Sequence, residues 1–469
     1  MFEKIVSVIN DIVWSPALVV LLVGAGLYVS FRTRFVQVRR FGLMLRSLFA
    51  PSEKSEDGKK HGISSFEAFC VALSGRVGTG NIVGVATAIA LGGPGAIFWM
   101  WIIAVFGAST AFVEATLAQK YKFQHETGFR GGPSSYIEQG LKARWLAILF
   151  SVLCLIGYGI LLPTVQANGV AGALNNSFRL PPLAAGLGLA FLLALVIIGG
   201  IRSIARVAAI ITPFMAFGYI IITVIVIAHH IDAVPEVLGR IVKGAFGFDP
   251  LVGGIIGSTI MMGVKRGIFS NEAGEGGGAI VSASAAVSHP AKQGLAQAFS
   301  VYVDTLLICT ATALMILCSG MYNIFDARTG EMLSAGAPAL EANYVGYTQA
   351  AVDSVLTGFG GTFVSVALVF FVFTTVMAYY FYGESSIMYI FSGRSRRAEK
   401  VAIWAFRFFL LAMVVFGAVR EAGVIWQLGD VGVGITAWIN VIALLLLCPQ
   451  AIKALREYET FIKNNPRKK

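Results

Sequence analysis

Eight ionisable side chains within otherwise apolar segments are candidates for chemistry: Arg76, Glu114, Lys265, Arg266, Glu272, Glu275, Asp304 and Glu384. At the depth of a bilayer such groups are costly, so they face a partner, a water-filled cavity or a transport pathway. Four of them crowd the stretch from Val264 to Ala283, beside Asn271 and the glycines at 267, 274, 276, 277 and 278. Arg76 belongs to a second glycine-rich stretch, Ser74 to Gly84, which also holds Thr79 and Asn81. Arg76 is a candidate partner for Glu272 or Glu275. Glu114 and Glu384 fall near expected cytoplasmic ends, where a long side chain reaches water, so a direct part in transport is the lesser expectation for these two.

The two stretches invite a particular chemistry. As one straight helix the polar-interrupted span from Leu251 to Ser288 would be about 57 Å long, against a hydrocarbon core of about 30 Å. It must break, tilt steeply or leave the membrane, and glycine tolerates the backbone angles of a break. Unwound backbone at membrane depth survives where protein or a wet cavity satisfies it. An opening at Gly78 and Gly80 would free amides at the start of the next half-helix, which suit an anionic group such as an amino-acid carboxylate. Carbonyls freed on the other side suit a hard cation such as sodium, and Thr79 and Asn81 add neutral oxygens. Small-residue packing through Gly80 and Gly84 explains the glycines alone. The polar residues among them favour a site. A dinucleotide loop is rejected, because the glycine spacing is wrong and no strand precedes it.

Other candidates lie on further helices. Gln166, in Pro163-Thr164-Val165-Gln166-Ala167-Asn168, would orient a small zwitterion or bond a neighbouring helix. Thr374 and Thr375 offer sodium ligands or bond back to their own backbone. Tyr379, Tyr380 and Tyr382 line a cavity or belong to an interfacial aromatic belt. Asn440 is a weaker candidate. No His-Asp-Ser set, metal-ligand cluster or phosphate-binding lysine loop is present, which argues against an enzyme and against an ATP-driven pump.

These residues need a membrane scaffold to hold them. The 469 residues are 57% hydrophobic and 13% charged, with mean hydropathy +0.77. Soluble domains carry about 25% charged residues, so the chain reads as an all-α polytopic membrane protein. Eleven apolar segments are expected, at about 14–31, 66–91, 95–118, 145–173, 183–201, 203–231, 251–288, 295–320, 361–391, 401–418 and 431–452. Residues 1–13 form an amphipathic lead-in at the interface, and no cleavable signal precedes the first span. The five cysteines (Cys70, Cys154, Cys309, Cys318 and Cys448) fall in apolar segments and are expected as buried thiols.

The net charge of +11 distributes unevenly. Alternating the loops across the membrane puts 26 Lys and Arg on one side and six on the other. The positive-inside rule then sets the amino terminus outside and the carboxyl terminus in the cytoplasm. The long outward loop from Met321 to Gly360 has room for a surface helix or hairpin between Ala337 and Leu356, or runs solvated. Setting the first span aside leaves five plus five. Each half opens on one of the two polar-interrupted helices, and paired interrupted helices in inverted halves point to the site of a secondary transporter. The domains are then 1–60 (lead-in, extra helix and cytoplasmic loop), 61–231 and 232–456 (the two repeats), and 457–469 (a basic tail).

The runs Gly78-Thr79-Gly80-Asn81-Ile82-Val83-Gly84-Val85-Ala86-Thr87-Ala88 and Lys265-Arg266-Gly267-Ile268-Phe269-Ser270-Asn271-Glu272-Ala273-Gly274 strongly resemble the alanine or glycine:cation symporter family, the sodium:alanine symporters. The resemblance covers essentially the whole chain, including Pro163-x-x-Gln166-x-Asn168 and Tyr382-Gly383-Glu384. It implies a LeuT-type inverted-repeat core with two discontinuous helices, preceded by one extra helix. It also implies sodium-driven uptake of a small neutral amino acid, alanine or glycine, across the bacterial or archaeal inner membrane, with no organic cofactor and no obligatory protein partner. Substrate contacts carried over are Gly78, Thr79, Gly80, Asn81, Gln166, Phe269, Gly274 and Tyr379. Sodium would meet the carbonyls of Ser74 and Val77 and the hydroxyls of Thr374 and Thr375.

Two positions depart from the family pattern. Glu275-Gly276-Gly277-Gly278 follows Gly274 where the family commonly has an apolar residue and then Gly-Ser. Tyr379 stands where a tryptophan is common. Both bear on which substrate and which cation are used. A proton-coupled carrier of another small metabolite or of glutamine, with Glu275 titrating, and a non-transporting amino-acid sensor are the alternatives.

Overall fold

Apolar runs fold as helices in a medium without water because their N–H and C=O groups have only one another to bond. The computed structural model describes residues 2–51, 62–248, 255–393 and 395–465. The loop cations Lys54, Lys59, Lys60 and Arg394, the tail's Arg467 to Lys469, and residues 251–254 lie outside the described residues, as does the boundary expected at 60/61.

The helices follow in order: α1 (Phe2–Val13), α2 (Pro16–Arg32), α3 (Val36–Arg39), α4 (Phe41–Leu48), α5 (Ser65–Arg76), α6 (Val85–Gly92) and α7 (Gly95–Lys120). A hairpin of β1 (Phe123–His125) and β2 (Gly128–Arg130) leads to α8 (Pro133–Leu141), α9 (Arg144–Ile156), α10 (Leu162–Phe178), α11 (Pro182–Ile197), α12 (Gly200–His229) and α13 (Val234–Ala245). Then come α14 (Ile256–Asn271), α15 (Gly277–Ala283), α16 (Pro290–Val301) and α17 (Thr310–Ser319). A second hairpin, β3 (Asn323–Phe325) and β4 (Met332–Ala335), precedes α18 (Tyr344–Asp353), α19 (Gly360–Ile390), α20 (Arg396–Val419) and α21 (Ala422–Asn464). Wider π turns at Gly80–Gly84, Gly157–Leu161 and Tyr302–Cys309 join α6, α10 and α17 to what precedes them.

Among the described residues, eight helices have the length and apolarity to cross a membrane, and a ninth span arises if α5 and Gly80–Gly92, bent by 50°, count as one. The 16-residue α11 and the pair α14–α15 fall below that measure, and the expectation of eleven spans needs both. The amino-terminal lead-in runs on into α2 and packs along α21, where the Trp14 indole N–H donates to the carbonyl of Asp430 at 2.8 Å. All five cysteines are buried free thiols.

The scaffold around the two glycine-rich stretches is tight. α7 packs against α14 and α16, and α10 lies against α19 and α20. At Gly417 of α20 a Cβ would stand 2.3 Å from the Thr164 Cα, with main chain as the obstacle rather than a flexible side-chain tip. Gly417→Ala is therefore expected to destabilise the protein by about 1–3 kcal/mol through overpacking, seen as a lower Tm in detergent.

The short hairpins bring loop residues inside. The first buries Arg130, whose guanidinium lies 3.8 Å from Glu384 on α19, while Arg407 of α20 approaches the same carboxylate at 3.4 Å. Glu384 therefore does not reach for water, as its place near a helix end suggested. It is buried because two arginines and the Tyr380 hydroxyl (2.5 Å) supply its partners. Within the outward loop, α18 falls inside the 337–356 window and buries Val345, Tyr347 and Val352.

Candidate functional site

The first break is built by its own sequence. α5 starts on a capping box, in which Ser64 Oγ accepts from the Glu67 amide (3.1 Å) and Glu67 accepts from the Ser64 amide (2.7 Å). It ends at Arg76, Val77 turns extended (φ −78°, ψ 92°), and helix resumes at Gly80. The amides freed there are met by side-chain oxygens: Gly78 N–H donates to Asn81 Oδ1 (2.8 Å), and the Thr79 N–H and hydroxyl both donate to Gln166 Oε1 (2.9 and 3.1 Å). The Gln166 amide nitrogen reaches the Tyr379 hydroxyl at 3.5 Å. Carboxamide oxygens thus hold positions that a substrate carboxylate would compete for.

On the other side of the break, the Thr375 hydroxyl lies 2.8 Å from the Ser74 carbonyl and 3.0 Å from that of Val77. Three of the four expected sodium oxygens converge. Thr374 does not join them: its hydroxyl bonds to the Phe370 and Phe371 carbonyls (3.1 and 3.0 Å) and faces Met215. Adjacent residues on a helix point about 100° apart, so one hydroxyl of the pair meets the break and the other turns away.

The second break runs from Glu272 to Gly276. Glu272 caps α14 in a left-handed conformation (φ 53°), and Gly274 and Gly276 have φ of 98° and 97°, where a side chain would be strained. Phe269, one turn before the break, packs against Gly80, whose added Cβ would lie 3.2 Å from the ring. The same ring lies 5.4 Å from that of Trp426 and 5.5 Å from the Arg266 guanidinium. Arg266 and Lys265 share Asp430 Oδ2 at 2.8 and 2.7 Å. Beyond them lies a cavity of about 720 Å³ lined by Trp14, Lys265, Arg266, Tyr344, Trp426 and Asp430. Phe269 therefore packs between Gly80 and two of that cavity's lining residues.

Gly274 is held elsewhere. Its N–H donates to Glu114 Oε1 (3.1 Å) and its carbonyl accepts from Asn440 Nδ2 (2.9 Å), and a Cβ would meet Val441 and Leu22 rather than a member of the first cluster. This overturns the snorkelling expectation for Glu114: it is 1% exposed and braces the unwound segment. Arg76 pairs with neither Glu272 nor Glu275 among the described residues. Its guanidinium donates to the Asn271 carbonyl (2.6 Å), to Gln297 (3.1 Å) and to Ser300. Glu272 and Glu275 each take a single tyrosine hydroxyl, from Tyr382 (3.1 Å) and Tyr158 (3.0 Å).

Asp304 ties the two breaks together. Its carboxylate accepts from Asn81 Nδ2 (2.6 Å), from the Ser270 hydroxyl (2.9 Å) and from Thr305 (2.7 Å), so it sets both the first break and the last turn of α14. Its role as a clamp, and those of Tyr158 and Asp430, escaped the sequence reading. For Asp430 a signal existed: it is the lone carboxylate in the apolar run from Ala422 to Pro449.

The sequence of residues 1–469 matches the model of the sodium:alanine symporter family. YrbD of Bacillus subtilis, named for sodium/proton-dependent alanine transport, is 49% identical over 454 residues, covering 97% of this chain and 92% of that protein. GlnT of the same organism, named for sodium/glutamine symport, is 43% identical over 97% of this chain and 90% of its own length. Among solved structures, that of MhsT in complex with L-phenylalanine superposes with a TM-score of 0.57 at 13% identity, covering 84% of this chain and 98% of that one, a likeness of fold alone. The fold is thus LeuT-like, and these relatives are transporters rather than enzymes. By a match over its whole length, the chain belongs to the sodium:alanine symporter family.

Proposed function

We propose that the protein carries a small neutral amino acid, alanine or glycine, into the cell together with sodium, by alternating access. The observation that carries this reading is the set of polar atoms gathered at the first break. Gly78, Thr79, Asn81, Gln166 and Tyr379 form one face, and Ser74, Val77 and Thr375 form the other. The substrate carboxylate displaces the Gln166 and Asn81 oxygens from the Gly78 and Thr79 amides. Sodium takes the place of the Thr375 hydroxyl proton between the two carbonyls, and the hydroxyl turns a lone pair toward it. Close packing supports a small side chain: a Cβ at Gly429, beside Phe269, would lie 2.4 Å from Val165. Gly274 braces the second break through Glu114 in this arrangement and touches substrate once the breaks rearrange.

The reading includes eleven spans arranged as one extra helix plus five-helix repeats at 61–231 and 232–456, and a basic tail from 457. The bilayer is the bacterial or archaeal inner membrane, with the amino terminus outside. Its test is uptake of labelled alanine, glycine and glutamine into proteoliposomes under separate sodium, potassium and proton gradients. Accumulation of alanine or glycine under sodium alone is expected. Failure of all three substrates to accumulate under a sodium gradient overturns it. In the same assay Thr375→Ala is expected to raise the half-saturating sodium concentration at least about tenfold, since the lost contact is to a charged partner. Thr374→Ala is expected to change it little.

One observation favours a second reading, in which a proton is also coupled. Glu275 is fully buried within the second break with one donor among the described residues, and the YrbD relative is named for both cations.

A further inference from the structure

The end of α2, the turn into α3 and the last turns of α21 line a half-open cavity of about 640 Å³ at one end of the molecule. Six cations line it: Arg32, Arg34, Arg39, Arg40, Arg456 and Lys463. Glu459 is the one carboxylate among its lining residues, and it is consumed, because Arg39 and Arg40 both pair with it at 2.8 Å. Arg32, Arg34, Arg456 and Lys463 have no ion pair among the described residues, although Arg32 lies 5.7 Å over the Tyr28 ring.

A general excess of cations on the cytoplasmic face explains why arginines occur here. It does not explain their convergence on one half-open cavity made by segments more than 400 residues apart, which the Arg40–Glu459 bond joins. Nor does it explain the backbone: Arg34 and Phe35 are consecutive non-glycine residues in the left-handed region (φ 56° and 52°). That conformation is costly, and it turns the chain from α2 into α3 at the rim of this cavity.

We propose that this cavity binds the phosphodiester headgroup of an anionic glycerophospholipid. Guanidinium groups match phosphate oxygens in geometry and charge, and basic pockets between helices at a membrane face take such headgroups. The lining supplies the rest of the lipid's chemistry. Leu43, Ile452, Leu455 and Ile462 face the cavity, and Phe31 (67% exposed) and Phe461 (45%) lie on the same helix ends with apolar surface open to acyl chains. Arg32 closes the apolar span that begins at Glu3, which sets the cavity at headgroup depth. A bound lipid bridges the amino-terminal helix to the carboxyl-terminal one. The inference rests on the membrane-spanning reading and not on which amino acid is carried.

The test is native mass spectrometry of the full chain released from nanodiscs containing phosphatidylglycerol and phosphatidylcholine, with no transport assay involved. Wild-type protein is expected to retain phosphatidylglycerol and release phosphatidylcholine, and millimolar inorganic phosphate is expected not to displace the bound lipid. R34Q/R456Q, which removes two surface cations without breaking an ion pair, is expected to bind phosphatidylglycerol about 30-fold more weakly, from about 1 kcal/mol per cation. Equal retention of phosphatidylcholine, or unchanged binding by R34Q/R456Q, overturns the proposal. Displacement by inorganic phosphate overturns the lipid assignment in favour of a soluble anion. If the double variant fails to fold, the two wild-type comparisons still decide. Loss of symport with lipid retained would strike the proposed function and leave this inference standing.

Discussion

Gly78→Ala is expected to reduce sodium-driven uptake in proteoliposomes by one to two orders of magnitude while leaving membrane insertion intact. A Cβ at this position would stand 2.6 Å from Gln166 Oε1 and 2.8 Å from Thr375 Oγ1, one side chain from each of the two faces of the break to which substrate and sodium binding are proposed. Neither can retreat freely, because Gln166 is held by Thr79 and Tyr379, and Thr375 by the Ser74, Val77 and Phe371 oxygens. Overpacking of about 1–3 kcal/mol at such a point falls on the binding geometry, which converts to about 10–100-fold in rate or affinity. Gly84→Ala is the control. Its Cβ would meet nothing nearer than 3.8 Å, so near wild-type uptake is expected. Equal losses in both variants would mean that the whole segment requires glycine for helix packing, and the site would lose its support.

That contrast also shows what could be read from residues alone. Glycines at 78, 80 and 84 look alike in the sequence, and a Gly80–Gly84 packing contact was one account of them. The structure separates them, because an added Cβ at Gly80 would crowd Phe269 and one at Gly78 would crowd Gln166, whereas at Gly84 it would make ordinary contact with Arg266 and Thr79. A break near Gly78 was legible from glycines and polar groups in an apolar helix, whereas the approach of Gln166 and Thr375 to it was implied by the family resemblance and not by the residues themselves. Direction around a helix was not legible: Thr374 and Thr375 could not be told apart without knowing which face of α19 meets α5. Depth was misjudged for Glu114 and Glu384, because distance from a helix end gives no information on what packs there. Glu114 braces an amide from the opposite half of the chain, 160 residues on. Tyr158, and the partners of Asp304 though not Asp304 itself, were hidden for a related reason. Both residues sit in or beside π turns, which shift side-chain register by a fraction of a turn and leave no pattern of apolar spacing.

Glu275→Gln is expected to remove the response of uptake to an imposed proton gradient, from a several-fold stimulation in wild type to none, while exchange of labelled for unlabelled amino acid persists. The expectation follows from counting charge around the second break. Glu114, Glu272, Glu275 and Asp304 are each buried to 1% exposure or less, and among the described residues Arg76 is the one cation that acts on all four. Arg76 spends its contacts on neutral acceptors. Asp304 is well supplied, with donors from Asn81, Ser270 and Thr305. Among the described residues Glu275 has the Tyr158 hydroxyl alone, and its Oε1 is enclosed without a partner. The groups facing it are Glu272 from its own segment, Glu114 from α7, Arg76 from α5, and Tyr379 of α19. A carboxylate enclosed among other carboxylates with one donor is costly as an anion, and a bound proton removes that cost without needing space. In the proposed alternating-access cycle the break that carries Glu275 rearranges, so a proton taken up on one side can be given up on the other. Glutamine copies the protonated side chain, which permits exchange of a loaded carrier but not net proton movement. A pH-sensitive dye inside the vesicles reads the difference. Acidification accompanying amino-acid entry is expected in wild type and absent in E275Q, and equal acidification in both would assign the proton elsewhere.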